Sequence, residues 1–238
     1  VDTNTWTQRP LGLGKLWWIA TEGTRIWLGA DAGLLVSEDD GATFANLQPN
    51  GMGWSRPLFV EGAALICSGG SLVRSTDGGK TWDPASSLEG AFVSLARGTG
   101  PNANRIVAVG ICGRIAVSDD LGKTFTMVRD GNDEAFNDVA IDGDDVYIVG
   151  STRIFRASIT SVEELVDVGP LPKKHCDFYR IFACEGFVWV TCPERLLRSR
   201  DRGATWEIIA EEQTVFQDVL VLGPRRLIVP TSNGFVCL

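Results

Sequence analysis

Ser75-Thr76-Asp77-Gly78-Gly79-Lys80-Thr81-Trp82 is the second of four copies of one octapeptide. The others are Ser37-Glu38-Asp39-Asp40-Gly41-Ala42-Thr43-Phe44, Ser118-Asp119-Asp120-Leu121-Gly122-Lys123-Thr124-Phe125 and Ser199-Arg200-Asp201-Arg202-Gly203-Ala204-Thr205-Trp206. Ser, Asp, Gly and Thr keep their places each time, and an aromatic residue closes every copy. Each copy lies between short apolar runs, such as Gly33-Leu34-Leu35-Val36 before the first and Phe44-Ala45-Asn46-Leu47 after it, which is how a hairpin reads in sequence. The octapeptide is then the turn. Its Asp carboxylate accepts hydrogen bonds from turn amides, and its Gly supplies a positive φ that other residues resist. The aromatic ring covers the turn and buries itself between neighbouring strands.

The pattern resembles the Asp-box (BNR) repeat, Ser-x-Asp-x-Gly-x-Thr-Trp, found in sialidases, sortilin-type receptors and the photosystem II assembly factor family. The Val-Gly ending of second strands and the Asp-Gly-Gly-Lys-Thr-Trp box look similar to the assembly factor group, and at repeat level this covers nearly the whole chain. In those families the box is structural, so the resemblance implies an architecture and leaves the activity open. The Asp-rich turns do not read as calcium sites, because the twelve-residue helix-flanked loop with its distal bidentate Glu is missing. No metal or cofactor is expected.

Repeat spacing predicts the number of blades. The box serines stand at Ser37, Ser75, Ser118 and Ser199, and the last gap is about twice the others, so a worn copy is expected near Ser158. Arg153-Ile154-Phe155-Arg156-Ala157-Ser158 supplies the strand that precedes a box, without the box. Gly234-Phe235-Val236-Cys237-Leu238 matches Gly33-Leu34-Leu35-Val36-Ser37, and Thr5-Trp6-Thr7 resembles the Thr-Trp pairs that open outer strands. The reading is an all-β, six-bladed β-propeller of four-stranded antiparallel blades, residues 1–238 forming a single domain. Residues 1–10 are expected to complete the C-terminal blade and remove an open edge.

Composition narrows the function classes. With 44% hydrophobic residues and eight Trp, a 238-residue chain can bury a large core. No stretch approaches the roughly 18 apolar residues of a membrane span. The net charge of −8 opposes general affinity for nucleic acid, which is bound through Lys and Arg at phosphates. Cys67, Cys112, Cys176, Cys184, Cys192 and Cys237 are too few for a disulfide scaffold of this size and read as reduced thiols. Reduced thiols favour a cytoplasmic location; a secreted or periplasmic one remains open if a leader was removed. His175-Cys176 with Cys184 and Cys192 lacks the short spacing of closed zinc sites.

Aligning the inner strands by their apolar pattern puts Trp18, Arg56, Ser94, Asp138, Arg180 and Asp218 in equivalent places. In Asp-box propellers ligands enter by the face opposite the boxes and meet the starts of these strands. Arg180 then stands between Asp138 and Asp218, as an ion-pair belt or as ligand contacts. Trp17, Trp54 and Tyr179 add aromatics at the same opening, able to stack on a sugar or a peptide. The candidate binding residues are therefore Trp17, Trp54, Arg56, Asp138, Tyr179, Arg180 and Asp218, and no residue is assigned a catalytic role. Against the sialidase pattern the chain has Arg9-Pro10 and Arg56-Pro57 but no Arg-Ile-Pro, and Tyr179 has no assigned Glu partner. Arg180 is expected to keep Asp138 and Asp218 ionised, which suits a general acid poorly. The expected function is a non-catalytic protein- or peptide-binding or assembly module that uses the loop face. Glycan is the alternative ligand, through a glycoside hydrolase or a lectin.

Overall fold

The computed structural model describes residues 12, 14–48, 55–85, 87–88, 90–131, 134–170, 180–215, 220–223, 226–231 and 234–237. The chain forms two compact units, Val1–Trp54 and Ser55–Leu238. The first holds one antiparallel sheet, β1 (Leu16–Glu22), β2 (Arg25–Ala30), β3 (Gly33–Ser37) and β4 (Ala45–Gln48), in that order.

The second unit repeats the pattern. Its first sheet is β5 (Leu58–Val60), β6 (Ala63–Ser68), β7 (Ser71–Ser75) and β8 (Asp83–Pro84), and its second is β9 (Phe92–Arg97), β10 (Ile106–Gly110), β11 (Arg114–Ser118) and β12 (Thr126–Arg129). The third is β13 (Phe136–Asp142), β14 (Asp145–Gly150), β15 (Arg153–Ser158) and β16 (Ser161–Pro170). The fourth orders β17 (Arg180–Cys184), β18 (Phe187–Ser199) and β19 (Glu207–Val215). Here β18 doubles back on itself. Its beginning pairs with β17 and its end with β19, yet Arg198 Cζ lies 4.9 Å from the centre of the Trp189 ring. A straight strand would hold those residues about 30 Å apart. The sheet is thus a full four-stranded blade whose two middle strands are the two arms of β18.

The fold is an all-β propeller with five four-stranded blades, which corrects the expectation of six. The last repeat, β20 (Leu220–Gly223), β21 (Arg226–Thr231) and β22 (Gly234–Cys237), is a three-stranded sheet. The strand assigned to complete it, Thr5-Trp6-Thr7, and the closure by residues 1–10, lie outside the described residues. Repeat spacing counts hairpins, and it does not guarantee that each hairpin acquires an outer strand.

Strands apolar on both faces explain where the core sits. Along β10, Ile106 and Ala108 join Leu65 and Leu72 of the preceding blade, whereas Val107 and Val109 join Val146 and Ile148 of the next. Along β14, Tyr147 and Val149 turn instead toward Val188, Val190 and Cys192. The alternation of side chains along a strand thus makes each blade a wall of two apolar seams.

The boxes form the turns between third and fourth strands with one geometry. In the Ser75 copy, Ser75 Oγ donates to Asp77 Oδ1 at 2.8 Å and accepts from Gly79 N at 2.8 Å. Asp77 Oδ1 accepts from Thr81 N at 2.9 Å, and Asp77 Oδ2 from Thr81 Oγ1 at 2.6 Å. The copies at Ser37, Ser118 and Ser199 make the same four bonds. The residue before each Gly also has positive φ, Asp40, Gly78, Leu121 and Arg202 alike. At the worn copy the box is gone: Ser158 pairs directly with Ser161, and Ser158 Oγ accepts from Thr160 N at 3.3 Å and lies 2.9 Å from Thr160 Oγ1.

Candidate functional site

The starts of three consecutive inner strands carry a joined polar belt. Ser94, Asp138 and Arg180 occupy matching register positions, opposite Val109, Val149 and Thr191 of their second strands. Ser94 Oγ donates to Asp138 Oδ1 at 2.5 Å, and Ile181 N donates to Asp138 Oδ2 at 3.0 Å. Arg180 Nη1 stands 3.9 Å from Asp138 Oδ1, with 37% of its side chain exposed. One buried carboxylate therefore ties three blades together, and the guanidinium above it faces solvent in part.

The electrostatics differ from the sequence expectation. Burial pushes the Asp138 carboxyl above its ordinary range, against the pull of Arg180, Ser94 and the Ile181 amide. The guanidinium is too distant and too exposed to outweigh desolvation. Cys67 shares this interior. Its thiol is pushed up to about 12, first by burial, and the Asp138 charge adds to the rise.

The other candidate residues fall in different places. Arg56 is exposed just before β5. Trp17 belongs to the N-terminal unit, where its Nε1 donates to Asp31 Oδ1 at 3.1 Å and Lys15 Nζ stands 4.2 Å from the ring centre. Trp18 is buried in the same strand. Trp54, Tyr179 and Asp218 lie outside the described residues, as do His175 and Cys176. The cysteines at 67, 112, 184 and 192 are free thiols.

Three belt residues escape the sequence reading. Ser55 Oγ accepts from Cys67 N at 3.2 Å, and Thr191 Oγ1 accepts from Arg180 N at 3.3 Å. Thr191 had a signal: it stands where Gly29, Val109 and Val149 stand in the other blades, a polar residue in an otherwise apolar or glycine position. Cys67, inside an apolar run, had none.

A second polar cluster joins the fourth and fifth blades on the box side. Arg202 grips Asp145 with Nε and Nη2, both at 2.6 Å, and Arg156 Nε adds a bond at 2.8 Å. Burial works against the Asp145 carboxylate, but the two guanidiniums hold its pKa below the ordinary range. A charge so fully engaged within the protein is an adhesive between blades.

Comparison with known proteins agrees with this architecture. The BNR/Asp-box repeat family model matches residues 73–84. No curated protein sequence matches the chain. Among solved structures, YCF48 bound to D1 peptide is 16% identical, with a TM-score of 0.63, covering 92% of this chain and 75% of that one. YCF48 from Cyanidioschyzon merolae is 14% identical, with a TM-score of 0.62, covering 91% of this chain and 80% of that one. An ancestral GH74 enzyme is 13% identical with a TM-score of 0.63, and the match covers 92% of this chain but 35% of the enzyme. At these identities the likeness is one of fold. Four boxes of common geometry, the family match within the second and the shared fold together identify the chain as a β-propeller built on BNR/Asp-box repeats.

Proposed function

We propose that this propeller is a non-catalytic protein- or peptide-binding module whose contact surface lies at the inner-strand starts, on the face opposite the Asp-boxes. The observation that carries the reading is the division of labour within the belt. Asp138 has both oxygens taken up by Ser94 and Ile181, so it holds structure, while the guanidinium of Arg180 above it stands partly in solvent, and Arg56, three blades before Arg180, is exposed. A guanidinium seated on a fixed base, as Arg180 is on Asp138, suits recognition of carboxylates and peptide carbonyls. A structure of YCF48 with a peptide supports this use of the fold.

The second reading is glycoside hydrolysis. The raised Asp138 carboxyl favours it, since a general acid needs such a shift. It also requires a second carboxylate across the scissile bond, about 5 to 9.5 Å away. Asp218, the sequence candidate, lies outside the described residues.

The two readings separate in one experiment. The full chain is probed against an array of immobilised random peptides, and the strongest binder is measured by calorimetry. Arg180→Ala and Arg56→Ala should each weaken that peptide by more than about 1 kcal/mol, as interface Arg residues do, and Lys80→Ala on the box side should leave it unchanged. Sensitivity at Lys80 with silence at Arg180 sinks the proposed surface. Turnover of chromogenic aryl glycosides that Asp138→Asn abolishes would establish the hydrolase instead.

A further inference from the structure

The inner strands of three blades begin with the same irregularity. Leu16 pairs with Ala30 and Trp18 with Gly29; Phe92 pairs with Gly110 and Ser94 with Val109; Phe136 pairs with Gly150 and Asp138 with Val149. Trp17, Val93 and Asn137 are therefore extra residues, each forming a β-bulge one place before the belt. Bulges interrupt pairing and re-aim side chains, often beside binding sites. Val93 and Asn137 are part-exposed, next to the buried Ser94 and Asp138.

The blade of Val93 adds an exposed apolar group at the same end. Its β10 ends at Gly110, opposite Phe92, and leads into the turn Ile111-Cys112-Gly113. Ile111 is 43% exposed. The other described turns between second and third strands, Asp31-Ala32, Gly69-Gly70 and Ser151-Thr152, carry small or polar residues.

The turn is held in shape before anything binds. Ile111 N donates to Ala91 O at 2.9 Å. Cys112 takes a φ of 59°, a conformation that a residue with a side chain keeps only where its surroundings impose it. A β-carbon at Gly113 would touch Glu134 O at 3.5 Å and the Phe136 ring of the next blade at 3.8 Å, so the turn leans on that neighbour. An apolar side chain fixed toward solvent in this way has already met part of the ordering cost of binding.

Charge decides the occupant, and distance sets its pattern. Two copies meeting face to face would set Arg180 against Arg180, whereas an acidic segment meets the opposite condition. The Asp138 carboxylate bridges Ser94 Oγ at 2.5 Å and Ile181 N at 3.0 Å, so the strand starts that carry Val93 and Arg180 lie within reach of one carboxylate. Side chains two or three residues apart on an extended chain stand roughly 7 to 10 Å apart, the order of this gap. We propose that the loop face takes up an extended segment of another polypeptide in which an apolar residue lies two or three places from an Asp or Glu. The acidic side chain meets Arg180, the apolar one lies against Val93 and Ile111, and Asn137 supplies an amide to the backbone between them. The inference rests on the peptide-binding reading and adds the ligand's pattern to it.

The test uses the full chain and the array of immobilised random peptides. Its strongest binders should carry Leu, Ile, Val, Met or Phe two or three places from Asp or Glu. In the strongest of them, replacing that apolar residue by Ser should weaken binding about fivefold or more, as loss of one partly buried apolar side chain does. Ile111→Ser should remove this difference between the two peptides while the dependence on the acidic residue persists, and Val166→Ser, at an exposed position on β16, should leave the difference in place. Bound peptide should also slow alkylation of the exposed Cys112 by iodoacetamide, read by mass spectrometry, and leave Cys184, at the far end of its inner strand, unchanged. Binders that need the acidic residue and Arg180 but not the apolar residue overturn this inference and leave the peptide-binding reading standing. Binders indifferent to Arg180→Ala, or no binders, sink both. Equal effects of Ile111→Ser and Val166→Ser, or an unprotected Cys112, overturn the inference as well.

Discussion

The box turns and the inner-strand starts, at opposite ends of the blades, obey different rules. The box turns repeat one set of side chains and one set of hydrogen bonds, down to tenths of an ångström. The inner-strand starts share a register position but carry Trp18, Ser94, Asp138 and Arg180 there. Identical chemistry at every repeat serves what every repeat needs, which is a closed turn that docks on its neighbour. Different chemistry on an invariant scaffold is how recognition is usually built.

The sharpest way to break this comparison is at a box glycine. Gly122 has φ of 75°, and a β-carbon there would stand 2.3 Å from Leu65 Cδ2 in the preceding blade. Gly122→Ala should cost roughly 2–4 kcal/mol, from backbone strain and overpacking together. Gly143 has a similar φ of 60° with nothing within 4 Å of its β-carbon position, so Gly143→Ala should cost only about 1 kcal/mol of backbone strain. Chemical denaturation measures both. Equal costs would mean that the box does not dock on the neighbouring blade.

The next largest effect contrasts an intact box with the worn one. Ser118 is buried, and its Oγ accepts from Gly122 N and donates to Asp120. Ser118→Ala leaves the amide unsatisfied and should cost about 1–3 kcal/mol. Ser158, at the equivalent place without a box, is exposed, and Ser158→Ala should stay within about 0.5 kcal/mol.

These contrasts also show what a sequence can carry. The boxes were legible because each turn is encoded by side chains at fixed offsets, and each of those side chains makes the bond its chemistry suggests. The matching places of Ser94, Asp138 and Arg180 were legible too, since apolar register alone aligns inner strands, but the bond from Ser94 to Asp138 was not. The blade count was not. Box spacing marks hairpins, whereas a complete blade also needs an outer strand, and that depends on pairing. The sign of the Asp138 shift was hidden for a related reason. Sequence shows that a cation is adjacent in the ring, but burial and a separation of 3.9 Å decide which effect wins.

Acid should separate the two regions by sign. Thr81 side-chain and backbone bonds hold Asp77 at about 2, below its ordinary 3.8, and Thr43 does the same for Asp39. A carboxyl lowered by folding contributes stability above 3.8 that is lost as pH falls toward 2. Asp138, raised by folding, contributes in the opposite sense: its share is present below 3.8 and is lost as pH rises through its folded value. Denaturation midpoints between pH 2 and 6 should therefore fall steeply below pH 4, and Asp77→Asn should make that slope shallower. An unchanged slope would show that the box carboxylates do not govern acid stability.

The small effect on stability that bears most on function is expected at Arg180. Removing one partner of a buried ion pair is usually severe, because it strands a charge. Arg180, however, is over a third exposed and 3.9 Å from Asp138, and Asp138 keeps its bonds from Ser94 Oγ and Ile181 N. A pair so placed is worth little, and Arg180→Ala should shift stability by less than about 1 kcal/mol. A residue that costs little to remove from the fold, yet stands at the mouth of a rigid belt, is free to serve a partner. If Arg180→Ala instead destabilises as much as Ser118→Ala, the belt is architecture of the same kind as the boxes, and the distinction between the two ends of the blades falls.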